Sequence, residues 1–263
     1  MPWPFSRSGK SIADAAGPAL ELVDLHCHVL PGFDDGAPDL AETTAMLDGL
    51  ASLGYARVAA TPHVSADVST ERRAAITSRV AEVVASRGSR PPALAKGAEI
   101  MFDERIFDEG AARGLPGLAG HPIFLLEFGL GQASVPKGVE ARLFRLTVKG
   151  VTIVLAHPER CPDFTRDLTR LEDMHRAGVV VQLDLMSLTG RHGGAARKAA
   201  NLILDRGLAD VVATDLHRAH DLSAVREALG ILAGFGEAER ERLVHENPLA
   251  LWEGRAAEVR RHG

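Results

Sequence analysis

The sequence predicts an α/β fold whose parallel strands close into a distorted seven-stranded (βα)7 barrel, and three observations support that expectation. Apolar runs of strand length alternate with stretches of helical spacing along the chain. Seven of these runs, Val23–Val29, Val58–His63, Ala93–Glu99, Ile123–Glu127, Val151–His157, Val179–Asp184 and Val211–His217, contain or end beside a residue able to ligate a cation. Such endings occur on nearly every strand, first to last, and only a closed ring brings all those C-terminal ends to one point. An open doubly wound sheet would leave its outer strands too far from a shared cluster.

At 263 residues, 46% apolar and 25% charged, the chain has the makeup of one large α/β domain with a full core. Residues 1–19, rich in Ser, Ala, Gly and Pro, are expected to form a loose tail, and residues 20–263 a single domain. Met1–Arg7 lacks the apolar h-region and cleavage pattern of a signal peptide. No run of about 18 apolar residues exists, so no membrane span is expected. Cys27 and Cys161 are too few for a disulfide framework, which points to a reducing cytoplasm. The net charge of −5 argues against nucleic acid as a partner. The basic residues are mostly Arg, whose forked donors suit phosphate.

Helices are predicted over 38–53, 69–87, 103–112, 137–149, 165–177, 191–206, 221–233 and 237–257, the last broken at Pro248. The first opens at Pro38, a residue suited to the first helical position, and its Leu40, Leu47, Leu50 and Ala51 share a face. Gly54, Gly88, Gly150, Gly178 and Gly207 close five helices where a left-handed residue is wanted.

On the first strand, alternation places Asp24, His26 and His28 on one face and turns Leu25, Cys27 and Val29 toward the helices. Two imidazoles at that spacing can chelate one ion, or can simply be exposed at a strand end. Asp24 is the expected acceptor for a ligand imidazole N–H. Asp34-Asp35-Gly36, after the Pro31-Gly32 turn, reads locally as a turn, and His63 in Thr61-Pro62-His63 reads locally as a structural histidine. Glu99 and Glu127 each close an apolar run, where a carboxylate is costly unless paired or bound to a cation. His157 ends the run 151–156, and Asp215 and His217 share one face of the last strand. Arg160 could clamp a phosphate through its guanidinium fork or pair with neighbouring Glu159. Arg218 is a weaker candidate of the same kind. His121, His175, His192, His220, His245 and His262 are expected to be solvated in loops or helices.

Asp-x-His-x-His, Asp-Asp-Gly, Thr-Pro-His, Gly-x-Glu-Ile, Leu-Glu-Phe, Ala-His-Pro-Glu-Arg, Thr-Asp-x-His and a late Glu-Asn-Pro follow one another along the chain. In this order they resemble the polymerase-and-histidinol-phosphatase (PHP) family, from about residue 22 to about residue 250. The chain is most similar to the bacterial manganese-dependent protein-tyrosine phosphatases of capsule and exopolysaccharide operons, through Gly32–Gly36, Glu127 and His157–Arg160. The resemblance implies a TIM-like PHP barrel holding three divalent metal ions. Mn2+ is the expected metal, with Fe, Zn or Co chemically acceptable to imidazole and carboxylate. Carried over by motif, His26, His28, Glu99 and Asp215 hold the first ion. Glu99 bridges to the second, completed by Glu127 and His157, while Asp35, His63 and His217 hold the third and Arg160 binds phosphate.

Such relatives often carry a second phosphate-binding Arg several residues after the last His, where this chain has Leu222; Arg218 is the candidate replacement. The resemblance also implies hydrolysis of phosphotyrosine in proteins, with a bacterial tyrosine kinase as partner and control of capsular or exopolysaccharide production. A small-molecule phosphomonoesterase such as a histidinol phosphatase is the alternative. Bound cations would bring the pKa of a water from 15.7 to about 7, giving a hydroxide that attacks phosphorus without a side-chain base. A thiol route fails on spacing: Asp167 and Phe33 stand six residues after Cys161 and Cys27, where cysteine phosphatases need Arg.

Overall fold

Nine parallel strands, rather than seven, make up the sheet structure of the computed structural model, which describes residues 20–65, 67–107, 115–129, 135–259 and 261. They are β1 (Leu22–Cys27), β2 (Tyr55–Ala60), β3 (His63–Val64), β4 (Ala93–Lys96), β5 (Glu99–Met101), β6 (Ile123–Glu127), β7 (Thr152–Ala156), β8 (Val180–Asp184) and β9 (Val211–Ala213). They form two sheets, of order β1-β2-β4 and β3-β5-β6-β7-β8-β9. The two extra strands arise because two apolar runs are each split. Pro62 has no N–H to give the ladder, and it divides β2 from β3. Gly97-Ala98 divides β4 from β5, where a Cβ on Gly97 would lie 3.0 Å from the Thr61 methyl.

Hydrogen bonds nevertheless cross these gaps: Thr61 N to Cys27 O at 3.0 Å, Gly97 N to Ala60 O at 2.8 Å and Glu99 N to Pro62 O at 3.1 Å. On the other side, the segment after β9 meets the end of β1. His28 N donates to Leu216 O and Asp215 N to His26 O, both at 2.9 Å, with an isolated parallel bridge between Cys27 and Leu216.

The helices fall close to their predicted spans: α1 (Leu40–Ser52), α2 (Thr70–Arg87), α3 (Val139–Val148), α6 (Gly194–Asp205) and α7 (Leu222–Ala233). Asp39, not Pro38, marks the start of α1. Its backbone is extended and its carboxylate accepts from Glu42 N at 2.9 Å, so Pro38 precedes the cap. The stretch 165–177 divides into α4 (Pro162–Arg166) and α5 (Thr169–Arg176), because Asp167 is extended and takes both the N–H and hydroxyl of Thr169. Of the stretch 103–112, Glu104–Phe107 forms a 3-10 turn and residues 108–112 lie outside the described residues, as do the expected tail 1–19 and His262. After α8 (Glu237–Glu241) the chain opens into a π-turn, Arg242–Glu246, before α9 (Asn247–Trp252), a wide turn that adjoins Pro248 with its missing N–H. The five closing glycines take left-handed φ of 61–99°.

The strands separate two apolar clusters. The larger packs strand residues such as Val58, Leu126, Leu155 and Val181 against helix residues such as Met46, Ile76, Leu143 and Ile203. The smaller gathers Val23, Leu25, Ala59, Leu125, Val154, Val180 and Val211 on the opposite face, plugged by Leu251 of α9. No helix among the described residues is long and apolar enough to cross a membrane.

Candidate metal centre

The predicted site residues converge where the strands end. His26 Nε2 lies 3.1 Å from His28 Nε2, 3.2 Å from Glu99 Oε2 and 3.1 Å from Asp215 Oδ1. Ligand atoms of three groups lie within 4.8 Å of one another: His26, His28, Glu99 and Asp215; His28, Asp35, His63 and His217; and His63, Glu99 and Glu127. His157 joins through Glu99, with Nε2 2.8 Å from Oε1. All nine candidates are therefore brought together. By proximity alone, His28 belongs to two groups and Glu127 lies with His63 and Glu99.

These positions follow from local backbone features. A register shift between Asp24 and Cys27 interrupts the pairing of β1 with β2, as a bulge does. Leu25 accordingly falls in the smaller cluster with Val23 rather than facing the helices, while Cys27 packs outward. Asp24 does not take an imidazole N–H. Its carboxylate accepts from Thr214 Oγ1 (2.6 Å), Thr214 N (3.0 Å) and His26 N (3.3 Å), tying β1 to β9. His157 and Asp215 are non-glycine residues with left-handed φ, 32° and 48°, at the ends of β7 and β9. Such backbone costs about 1–3 kcal/mol per residue, and it turns both side chains into the cluster.

Two orienting side chains went unread in the sequence. Asp34 Oδ2 is 2.8 Å from His28 Nδ1, and the Gln182 amide is 2.9 Å from His26 Nδ1. Asp34 had been visible only as half of a turn motif, and Gln182 sits mid-strand with no motif around it. His192 and His175 are also placed differently from expectation. His192 Nε2 lies 2.5 Å from Asp184 Oδ2, and buried His175 pairs with Asp210 at 3.1 Å. Arg160 does not pair with Glu159. Its Nη1 reaches Asp215 Oδ2 at 2.5 Å and Asp184 Oδ2 at 3.4 Å, while Glu159 Oε1 accepts from Asp184 N and Ser187 Oγ. Leu222 fills its position by packing against α1, where a Cβ on Gly49 would strike it.

The donor set suits cations. Glu99 Oε2, Glu127 Oε2 and Asp215 Oδ1 are buried without a hydrogen-bond partner, although imidazole nitrogens crowd Glu99 Oε2 at 2.9–3.4 Å. Burial pushes the Glu99 and Asp215 carboxyls upward, but His26, His28 and His157 outweigh it and hold both well below the ordinary range. Burial likewise opposes charge on His28 and His157. Asp215, Asp34 and Glu99 raise His28 well above its usual value, and Glu99 and Asp215 bring His157 to about 9. Burial and Glu99 raise Glu127. Without a cation, protons on the imidazoles offset the carboxylates, and a metal ion would displace those protons. Burial pushes the Cys27 and Cys161 thiols up, which disfavours thiolate chemistry. A cavity of about 480 Å³ is lined by residues including Phe107, His121, Phe124 and Val151 and includes none of the cluster residues.

Gly36 holds the Asp34-Asp35 turn against β1, since a Cβ there would sit 2.1 Å from His28 O. Gly36→Ala is expected to displace that turn, lowering stability by about 1–3 kcal/mol, the scale of forced overpacking. Thermal melts and metal titration of the variant measure both effects, and wild-type metal affinity would separate the turn from the cluster.

Parallel α/β architecture with a buried His–carboxylate cluster at the strand ends defines the class to which this chain belongs. Within that class it belongs to the family described as capsular polysaccharide synthesis, CpsB/CapC, which it matches over residues 22–253. It is 28% identical over 230 residues to the tyrosine-protein phosphatase YwqE of Bacillus subtilis, covering 86% of this chain and 89% of that protein. It is 23% identical to the tyrosine-protein phosphatase CpsB of Streptococcus pneumoniae, covering 86% and 96%. A crystal structure from work on YwqE and CpsB, described there as unique metal-dependent tyrosine phosphatases, superposes with a TM-score of 0.82 at 27% identity, covering 92% of this chain and 97% of that one. An organophosphorus hydrolase of Deinococcus radiodurans shares the fold alone, at 17% identity and a TM-score of 0.52.

Proposed function

We propose that this protein is a metal-dependent phosphatase that hydrolyses phosphotyrosine in proteins. The observation that carries the proposal is the set of three buried, partnerless carboxylate oxygens facing crowded imidazole nitrogens beside an arginine. The names of the family relatives supply the substrate class. Three divalent ions, Mn2+ first among the candidates, would be held by His26, His28, Asp35, His63, Glu99, Glu127, His157, Asp215 and His217. We also read the two sheets as arcs of one distorted seven-membered ring. The hydrogen bonds that cross the Pro62 and Gly97 gaps and join His26 and His28 to the segment after β9 support that view.

When bound, the ions supply Lewis-acid polarisation of the phosphoryl group and activation of water. The chain's own residues orient and neutralise. Asp34 fixes the His28 ring so that Nε2 points into the cluster. The Gln182 amide Nε2, 2.9 Å from His26 Nδ1, holds the His26 ring so that its Nε2 faces the cluster. Arg160 is anchored through Nη1, which leaves Nε and Nη2 to donate to phosphoryl oxygens. The leaving phenolate, with a pKa near 10, needs little protonation. The physiological partner we propose is a bacterial tyrosine kinase governing capsular or exopolysaccharide production. The low cysteine count favours a cytoplasmic setting.

Phosphate release from phosphotyrosine peptide, phosphoserine peptide and histidinol phosphate, each titrated with Mn2+, Zn2+ or chelator, tests the proposal. Selective, Mn2+-stimulated release from phosphotyrosine is expected. Preference for histidinol phosphate would overturn the substrate, and no release with any metal would overturn the enzyme.

A further inference from the structure

We propose that a cavity beside Arg160 is a second anion subsite, which reads an acidic group on the same peptide as the phosphotyrosine; it rests on the phosphatase activity proposed above. The cavity, about 370 Å³, is walled by Glu159, Arg160, Thr165, Arg166, His192 and Ala195, the second residue of α6.

Position links it to the cluster. Arg160 lines the cavity while its Nη1 rests 2.5 Å from Asp215 Oδ2, so a single side chain separates the two spaces. A peptide residue spans at most about 3.3–3.6 Å, so a group one or two residues from the phosphotyrosine reaches the cavity.

Charge selects the occupant. Arg166 is exposed and pairs with no carboxylate among the described residues. Most of the nearby acids are committed elsewhere. Asp163 accepts from Val135 N at 2.7 Å and Asp167 from Thr169, while Glu159 is fully buried, its Oε1 accepting from Asp184 N and Ser187 Oγ and its Oε2 without a partner. Asp184 is shared among Met186 N, His192 and Arg160. The rim therefore presents one guanidinium, that of Arg166, with no carboxylate partner among the described residues. The start of α6 reinforces this, because Gly193 offers no side-chain cap and the first N–H groups of the helix stay open beside the cavity. Forked guanidinium donors with open helix N–H groups suit a carboxylate or a second phosphate.

The test uses Mn2+-loaded full-length protein, wild type and Arg166→Ala. Four substrates are compared: p-nitrophenyl phosphate and three phosphotyrosine peptides of equal length, with neutral flanks, Glu flanks or a neighbouring second phosphotyrosine. Wild type is expected to show a KM roughly 5–10-fold lower for the anionic peptides, the range of a few charge-assisted contacts at a partly exposed site. Arg166→Ala is expected to erase that preference while leaving kcat and p-nitrophenyl phosphate kinetics unchanged. A gain with Glu flanks assigns the subsite to carboxylates, and a gain with the second phosphotyrosine alone assigns it to phosphate. Equal KM for all three peptides in wild type, or a preference that survives in Arg166→Ala, overturns the subsite alone. No release from any of the four substrates overturns the subsite together with the phosphatase activity.

Discussion

Asp215→Asn is expected to eliminate turnover in a protein that still folds, with kcat/KM falling by at least about 10²–10³-fold, the scale of losing one transition-state electrostatic contact. Asp215 Oδ1 lies 3.1 Å and 3.2 Å from the Nε2 atoms of His26 and His28, and its Oδ2 holds Arg160. Asn keeps the side-chain shape and tolerates the left-handed backbone at φ 48°, so the substitution removes charge without imposing the strain that Ala would. It takes away a carboxylate charge from the first group and the counter-charge that seats the Arg160 guanidinium. Steady-state kinetics with phosphotyrosine peptide, alongside a thermal melt, separate catalytic loss from unfolding. Near-wild-type kcat/KM would remove Asp215 from the active cluster.

Stripping metal is expected to lower the melting temperature by roughly 5–10 °C, with recovery on adding Mn2+. One ion at a hundred times its Kd contributes about 2.7 kcal/mol to the folded state. A chain of this size shifts by about 2–4 °C per kcal/mol. Glu99, Glu127 and Asp215 have buried oxygens without hydrogen bonds, an arrangement that costs stability unless a positive ion faces them. Cation binding therefore stabilises the strand ends themselves. Calorimetry of chelated and reconstituted protein reads the shift, and identical melts would show that the cluster holds no ion tightly.

Local patterning made much of this legible. Alternating apolar runs and helices, and glycines at helix ends, reflect constraints that act over a few residues. Glu99 and Glu127 stood out because a carboxylate inside an apolar run is expensive. Asp35 and His63 did not stand out locally, since a turn and a lone histidine explain them equally well; only the order of motifs along the chain brought them in.

What the sequence hid depends on contacts between distant segments. The β1 irregularity that turns Asp24 away from the imidazoles accompanies its hydrogen bonds to Thr214, 190 residues away. Gln182 meets His26 across 156 residues. His192 and His175 resembled solvated histidines until Asp184 and Asp210 were placed beside them. The divided strands escaped notice because Val58–His63 and Ala93–Glu99 each read as one apolar run, and a missing N–H matters only once the neighbouring strand is known.

The nine-residue cluster as a metal centre is tested most directly by anomalous diffraction at the manganese edge from crystals grown with Mn2+. Peaks are predicted among the three groups formed by His26, His28, Asp35, His63, Glu99, Glu127, Asp215 and His217, with His157 at a ligand position beside Glu99. Peaks elsewhere, or none within this cluster in crystals of active enzyme, would contradict it.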